Sequence, residues 1–274
     1  RVDLTRSSFM DPARRDEMDG SSSNDLVPGV YEGGLKIWES SVDLVRFMQH
    51  EQELALPWMV SAVETSADTF HTPIRCLELG CGHGLPACYI LKQAARKGVL
   101  ENTEVFVADY NDYVLRDAFV SNVVLNMAEL DIDSGKLARS VKMASGDWFG
   151  LLVDDTNTGY RNMHRFDWIA ATETLYTMEA AQETALLISR LLLPETGQAW
   201  VASKRYYFGV GGGIDRWRVH LQCLATGIFT SSTWKLREFT IVARPTSESC
   251  CVSGSKTVHI FVCKPDAVSE DRGV

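Results

Sequence analysis

The sequence has few of the features that mark membrane, secreted or nucleic-acid-binding proteins. Its 274 residues show no recognisable signal-peptide pattern and no apolar run near the roughly 18 residues that a bilayer span needs. Its seven cysteines are odd in number and lack the spacing of a disulfide scaffold, which suits a reducing compartment. With 27 basic and 36 acidic residues, its net charge of −9 argues against electrostatic binding of nucleic acid by the chain as a whole. We therefore expect a cytoplasmic protein with no membrane partner and no direct sequence-specific contact with nucleic acid.

The composition changes near residue 30. Residues 1–29 include three consecutive serines, many charges and little apolar periodicity, which predicts a flexible tail. Because the chain starts at Arg1 rather than methionine, we expect it to be part of a longer protein. Residues 30–274 are predicted to form a single domain, with a helical lead-in over 30–70 in which Ser40 caps a helix.

Strand-like and helix-like patterns then alternate, which predicts an α/β fold with a mostly parallel sheet and helices on both faces. The predicted helices are Leu85–Lys97, Asp112–Met127, a short piece near 148–160, and Met178–Leu193. The two last strands have no strong helical pattern between them, so we expect them to form an antiparallel C-terminal hairpin. The seven predicted strands are Arg75–Leu79, Glu104–Tyr110, Val141–Ala144, Phe166–Thr172, Gly197–Lys204, Thr233–Thr240 and Lys256–Lys264.

The first strand leads directly into a glycine-rich loop, R-C-L-E-L-G-C-G-H-G-L over residues 75–85. Closely spaced glycines after a strand allow a tight turn and the close approach of a nucleotide-like ligand. A phosphate-binding Walker loop is excluded, because Leu85-Pro86 stands where lysine and serine or threonine would be needed. A dinucleotide site stays open, since the loop also satisfies G-x-G-x-x-A and Asp109 follows at a suitable distance.

An S-adenosylmethionine site accounts for more residues at once. This cosubstrate has an ammonium group, a ribose and an adenine but no phosphate, so it needs carboxylates where a dinucleotide needs amide groups. Asp109, at the end of the second strand, would accept the ribose hydroxyls. Asp147, after the third strand, would accept from the adenine amine, and Trp148 would cover the adenine face. Glu78 in the first strand adds a further carboxylate.

The chain also resembles the protein-histidine methyltransferases, the seven-strand class I enzymes that methylate a histidine of the large-subunit ribosomal protein uL3. The resemblance spans about Asp25 to Thr240, and the loop departs from it at His83, where serine is more common. The motifs that carry it are E-G-G-L-K-I-W-E (32–39), L-E-L-G-C-G-H-G (77–84), A-D-Y-N (108–111), S-G-D-W (145–148), T-E-T-L-Y (172–176) and S-K-R-Y-Y-F-G-V-G-G-G (203–213).

The resemblance implies a Rossmann-like class I methyltransferase that uses S-adenosylmethionine and releases S-adenosylhomocysteine. It also implies a ribosomal protein as substrate, a monomer, and a location that extends to the nucleus or nucleolus. By this resemblance residues 37–39 close over the cosubstrate, and Thr172 and Glu173 lie where the substrate meets the methyl group. The residues predicted to bind the cosubstrate are Ile37, Trp38, Glu39, Glu78, Gly80, Gly82, Gly84, Asp109, Tyr110, Asn111, Gly146, Asp147, Trp148 and Thr172.

Methyl transfer to histidine mainly requires alignment of the two reacting atoms. An imidazole with its ordinary pKa of about 6.5 is largely neutral near pH 7, so a strong general base is dispensable. A hydrogen bond to one ring nitrogen would select the other for methylation. The predicted catalytic residues are Glu173, Tyr176 and Tyr207, with Tyr206 as a further candidate.

Other functions remain open at this point. A lysine methyltransferase of the same fold is the nearest alternative, and an inactive adaptor that binds ribosomal proteins is another. A dehydrogenase lacks an obvious hydride-transfer constellation. A metal site is not expected, because the cysteines near the glycine loop match no common zinc spacing.

Overall fold

The computed structural model describes residues 33–50, 73–148, 165–193, 196–207, 209, 211–227, 234–242 and 257–265. Their strands form one sheet of seven members. The predicted tail over 1–29, most of the piece near 148–160 and the second half of the lead-in lie outside the described residues. The strands are β1 (Ile74–Leu79), β2 (Thr103–Asp109), β3 (Val141–Ser145), β4 (Trp168–Thr172), β5 (Gln198–Ser203), β6 (Trp234–Val242) and β7 (Thr257–Pro265).

The sheet has the strand order β3-β2-β1-β4-β5-β7-β6. The first five strands pair in parallel, and β7 pairs antiparallel with both β5 and β6. The chain reverses direction across the sheet between β3 and β4, so the carboxyl ends of β1 and β4 lie side by side. In open α/β sheets, ligands bind in the crevice outside such a switch point.

Helices cover both faces of the sheet, as the alternating pattern predicts. Strands β4 and β5 are buried along their whole length, which explains their continuous apolar sequences. One face packs a core around Phe119, Trp168 and Trp200, and the other packs a core around Phe166 and Trp217. The parallel sheet and its helices confirm the Rossmann-like architecture.

Six helices surround the sheet in the described ranges. They are α1 (Glu39–His50), α2 (Leu85–Arg96), α3, α4 (Ser134–Ser140), α5 (Met178–Leu191) and α6 (Ile214–Gly227). Helix α3 consists of three consecutive stretches, Asp112–Val114, a π-helical turn over Leu115–Phe119, and Val120–Met127. Within the part of the chain that the structure describes, no helix is both long and apolar enough to cross a bilayer.

Three features differ from the sequence-based expectations. Helix α4 lies where the sequence analysis listed no helix. It begins after Asp133, whose carboxylate accepts from the Lys136 backbone N–H at 2.9 Å. Helix α6 lies between β5 and β6, an interval for which the sequence analysis listed no helix. Helix α1 begins at Glu39, so Ser40 lies in its first turn rather than at its cap.

Candidate cosubstrate and substrate site

The glycine loop leaves the carboxyl end of β1 at the switch point of the sheet. Gly80, Gly82 and Gly84 all have positive φ, of 60°, 50° and 64°. A side chain at Gly84 would place its Cβ 2.3 Å from the Phe119 ring, and one at Gly82 would place it 2.9 Å from the Gly34 carbonyl oxygen. These positions therefore need glycine for two reasons: the backbone has positive φ, and neighbouring protein atoms leave no space for a side chain.

Asp109 at the end of β2 lies under the loop. One carboxylate oxygen accepts from the Gly82 backbone N–H at 2.9 Å, and the other accepts from the Asn111 backbone N–H at 3.1 Å. The side chain is only 4% exposed, yet it lines the cleft beside the loop. A carboxylate has about four lone-pair sites, so each oxygen can accept more than one hydrogen bond.

The segment after β3 supplies the third side of the cleft. The Gly146 backbone N–H donates to the carbonyl oxygens of Asp109 and Tyr110 at 3.1 Å, which holds this segment beside the end of β2. Asp147 and Trp148 then line the cleft. The Trp148 ring lies close enough to Gly80 that a Cβ there would be 3.2 Å from it.

Residues 33–38, here called the N-terminal wall, close the cleft from the side of helix α1. Trp38 Nε1 donates to the Gly33 carbonyl oxygen at 3.0 Å, and the Lys36 ammonium lies 4.5 Å from the Trp38 ring centroid. Ile37 is 52% exposed at the rim. This is the position that the family resemblance implies for residues that close over a cosubstrate.

Glu173 follows β4 and is the single non-glycine residue with positive φ, 56°, in the described part of the chain. Such a backbone conformation costs roughly 1–3 kcal/mol and persists only where the surroundings hold it. Its carboxylate accepts hydrogen bonds from the hydroxyls of Ser40 and Tyr207, and the Lys204 ammonium lies 3.9 Å away. Glu173 therefore ties helix α1 to the segment after β5 while lining the cleft.

Tyr207 stands behind Glu173 and does not line the cleft. Its hydroxyl lies 3.0 Å from the Ser203 hydroxyl as well as in contact with Glu173. Burial and the neighbouring carboxylate raise the pKa of Tyr207 above its ordinary value, so its phenol stays neutral and can donate. This position supports a role in holding Glu173, and the predicted direct catalytic role of Tyr207 stays a prediction.

One cleft brings together most of the predicted residues. Its lining includes Ile37, Trp38, Gly80, Gly82, Gly84, Asp109, Tyr110, Asp147, Trp148, Thr172, Glu173 and Tyr176. Outside the lining lie Glu39, which is exposed at the start of α1, and the buried Asn111, which meets Asp109 through its backbone. Gly146 and Tyr207 also lie outside it. For these residues, contact with a cosubstrate or substrate stays a prediction.

Glu78 is also outside the lining, buried in β1 beneath the loop. One oxygen accepts from the Ala87 backbone N–H at 2.8 Å, so the carboxyl group stabilises the first turn of α2. The pKa of Glu78 is raised from 4.5 to about 8, mainly by burial; the Ala87 hydrogen bond lowers it in part, and the nearby Asp109 raises it. The structure thus gives Glu78 a structural role that the sequence did not suggest.

Thr174 and His83 are among the lining residues that the sequence reasoning did not assign to the site. Thr174 is 3% exposed, and its hydroxyl has no hydrogen-bond partner among the described residues. His83 lines the cleft from the glycine loop and contacts the N-terminal wall. No periodicity or spacing marks either residue, and the contact of His83 is with Leu35, which is distant in sequence.

The cleft fits S-adenosylmethionine in its donor and acceptor chemistry. Carboxylates of Asp109 and Asp147 line it beside the glycine loop, where ribose and adenine N–H and O–H groups need acceptors. Two of its lining residues carry buried polar groups, the Trp148 indole N–H and the Thr174 hydroxyl, that lack a partner among the described residues. Buried groups of this kind favour a polar ligand.

Comparison with known proteins agrees with this chemistry. A family model described as lysine methyltransferase matches residues 28–207. A histidine protein methyltransferase 1 homolog of Dictyostelium discoideum is 34% identical over 73% of this chain and 52% of its own length. The homolog of Mus musculus is 32% identical over 78% and 55%. Histidine protein methyltransferase 1 of Saccharomyces cerevisiae is 28% identical over 74% and 60%.

The chain spans little more than half the length of these curated relatives. Among solved structures, a DszA carbon methyltransferase superposes with a TM-score of 0.48 at 14% identity, over 84% of this chain and 55% of that chain. The family model covers well over half of the chain. Its match, from the N-terminal wall through the glycine loop to Tyr207, shows that the chain belongs to this methyltransferase family.

Proposed function

We propose that the chain is an S-adenosylmethionine-dependent protein methyltransferase that adds one methyl group to a histidine. The observation that carries this proposal is the single cleft that Asp109 and the glycine loop share with Glu173 and Tyr176. This arrangement places groups suited to a cosubstrate and groups suited to a polar substrate side chain in one cleft. The names of the curated relatives support histidine as the acceptor.

The chemistry that S-adenosylmethionine supplies when bound is a methyl group on a sulfonium, which a nitrogen lone pair displaces in line. The protein has to align the imidazole and choose one nitrogen. Glu173 suits this task, because the Ser40 and Tyr207 hydroxyls occupy only part of the acceptor capacity of its carboxylate. A ring N–H of the substrate can donate to the remaining lone pairs, which directs the opposite nitrogen towards the methyl group.

The cosubstrate assignment is tested by isothermal titration with S-adenosylmethionine. Asp109→Asn removes the negative charge of the carboxylate that would accept hydrogen bonds from the ribose hydroxyls. We expect the affinity for S-adenosylmethionine to fall about ten- to a hundredfold. Asp117→Asn, the same substitution at an exposed position on α3, is the matched control and should bind normally. Equal affinities in both variants would contradict the proposed ribose contact.

The substrate class is tested by incubating the protein with large-subunit ribosomal proteins and labelled cosubstrate. We expect a single methyl group on a histidine, located by fragmentation mass spectrometry. The description of the matched family favours one competing outcome, methylation of lysine, which accepts up to three methyl groups. Labelled lysine without labelled histidine would replace the proposal with that activity.

The proposal has three further parts. The substrate is a ribosomal protein, the protein is a monomer, and its location is cytoplasmic and extends to the nucleus or nucleolus. The resemblance to the histidine methyltransferases supports the first. Light scattering tests the second, and imaging of a fluorescent fusion tests the third.

A further inference from the structure

His83 connects three separate segments at the edge of the cleft. Its Nε2 lies 2.9 Å from the Leu35 carbonyl oxygen in the N-terminal wall. Its Nδ1 lies 3.3 Å from the amide nitrogen of Asn122 on helix α3. The same amide nitrogen donates to the His83 carbonyl oxygen at 2.9 Å. The glycine loop, the wall and α3 therefore meet at one imidazole.

These contacts favour one tautomer of the ring. A carbonyl oxygen only accepts hydrogen bonds, so Nε2 carries the proton that goes to Leu35. The Asn122 amide has two N–H groups, and one goes to the His83 carbonyl oxygen while the other can reach Nδ1. Asn122 thus contacts both the backbone and the ring of His83. These contacts orient the Nε2–H group of His83 towards the wall.

The wall has a second contact with the loop directly beside this one. The Gly34 carbonyl oxygen lies so near Gly82 that a Cβ there would be 2.9 Å away. This second contact is a close approach of one backbone to another. The side-chain donor of His83 therefore adds a directional hydrogen bond beside this close approach.

We propose that His83 is a positioning residue that holds the N-terminal wall against the glycine loop and so retains the bound cosubstrate. The proposal rests on the proposed function for the identity of the ligand. The hydrogen bond from His83 to Leu35 would slow the release of the cosubstrate, because the wall residues Ile37 and Trp38 line the cleft. The methyl-transfer step itself involves other residues.

The decisive variants are His83→Leu, which removes both ring nitrogens, and His83→Gln, whose amide nitrogen can replace Nε2 as donor to Leu35. For His83→Leu we expect the dissociation constant and the dissociation rate of S-adenosylmethionine to rise about three- to tenfold, the size of one lost hydrogen bond. We expect kcat at saturating cosubstrate to stay within about twofold, because the lost contact acts on binding. His83→Gln should recover most of the affinity, and His50→Leu at the exposed end of α1 is the matched control.

Stopped-flow fluorescence can follow release, because Trp38 and Trp148 both line the cleft. Unchanged release in His83→Leu would overturn the proposal. Equal weakening in His83→Leu and His83→Gln would overturn it as well, since side-chain shape rather than the donor would then be responsible. Wild-type protein that binds no S-adenosylmethionine would instead contradict the proposed function.

A ligand-free measurement tests this hydrogen bond independently. Lys36 is exposed in the wall, so limited trypsin digestion reports how firmly the wall is held. We expect faster cleavage after Lys36 in His83→Leu than in wild type or His83→Gln, with equal melting temperatures. Equal cleavage rates would show that His83 does not hold the wall.

Discussion

At Glu173, a carboxylate on a left-handed backbone is held by hydroxyls from two distant parts of the chain. Ser40 lies 133 residues before it in sequence, and Tyr207 lies 34 residues after it. The backbone conformation is unfavourable for a residue with a side chain, so the two hydroxyls and the surrounding packing have to stabilise it. The residue that is proposed to face the substrate is thereby fixed from behind, where no substrate contact is needed.

Removal of the Tyr207 hydroxyl tests this support. Tyr207→Phe leaves a buried carboxylate oxygen without its donor, and we expect the free energy of unfolding to fall by about 1–3 kcal/mol. Because Tyr207 lies outside the cleft lining, we expect kcat to fall while the KM for S-adenosylmethionine stays nearly constant.

Tyr206, the further catalytic candidate, is 61% exposed and lies outside the cleft lining, so Tyr206→Phe is the matched control. Urea denaturation and steady-state kinetics of the two variants give the comparison. Equal behaviour of the two variants would show that the Tyr207 hydroxyl does not support Glu173.

Among the elements, the joint between the glycine loop, α2 and α3 is the most constrained. Gly84 precedes the first residue of α2 with φ 64°, and the ring of Phe119 in the π-helical turn of α3 occupies the space where its side chain would lie. A side chain at this joint would have to displace an aromatic ring in the core.

Gly84→Ala should therefore be more damaging than Gly98→Ala. At Gly98 φ is 73°, but no atom of the described residues lies within 4 Å of the position that a Cβ would take. We expect Gly98→Ala to cost about 1–2 kcal/mol for backbone strain alone, and Gly84→Ala to cost about 1–3 kcal/mol more for overpacking. Urea denaturation measures both. Similar losses would mean that α3 can shift away from the loop without cost.

The elements around the site were predictable from the sequence where they carry local signals. Continuous apolar runs ending in glycine or aspartate marked β1 and β2, and the spacing of four from Leu115 to Met127 marked α3. Helix α6 was missed although Ile214, Trp217 and Leu221 are all buried at helical spacing. Charged residues stand between them in sequence, and they mask the apolar spacing of this helix.

The candidate site was predictable where a carboxylate follows a strand end, as at Asp109 and Asp147, whereas Glu173 was predicted through the family resemblance. It was not predictable where the partner comes from elsewhere in the chain. Serine is a common residue at helix N-caps, but the Ser40 hydroxyl donates to Glu173 at the end of β4. The same holds for His83, whose role depends on the Leu35 carbonyl and on Asn122.

For the molecule as a whole, one buried carboxyl group links stability to pH. Glu78 in the unfolded chain loses its proton near pH 4.5, whereas in the folded protein burial raises its pKa and it keeps the proton to about pH 8. The unfolded state therefore binds fewer protons over this interval. The stability that Glu78 contributes is full below pH 4.5 and is lost as the pH rises to about 8.

Glu78→Gln keeps an acceptor for the Ala87 N–H and removes the titration. Because the pKa of Glu78 is raised by burial, we expect the free energy of unfolding of wild type to decline relative to this variant as the pH rises from 4.5 to about 8. The difference should reach a few kcal/mol at most, since one pKa unit corresponds to about 1.4 kcal/mol. Urea midpoints measured across the interval check this, and parallel curves for the two proteins would contradict it.

The strand order has a consequence for biosynthesis. Strand β7 pairs between β5 and β6, although it is the last of the seven strands to leave the ribosome. Until residue 265 has been synthesised, the nascent chain carries β5 with one uncovered edge beside a finished cosubstrate cleft. Such an edge is a template for pairing with other chains. Products of premature termination after α6 should thus depend on chaperones, even though they contain every residue of the described site.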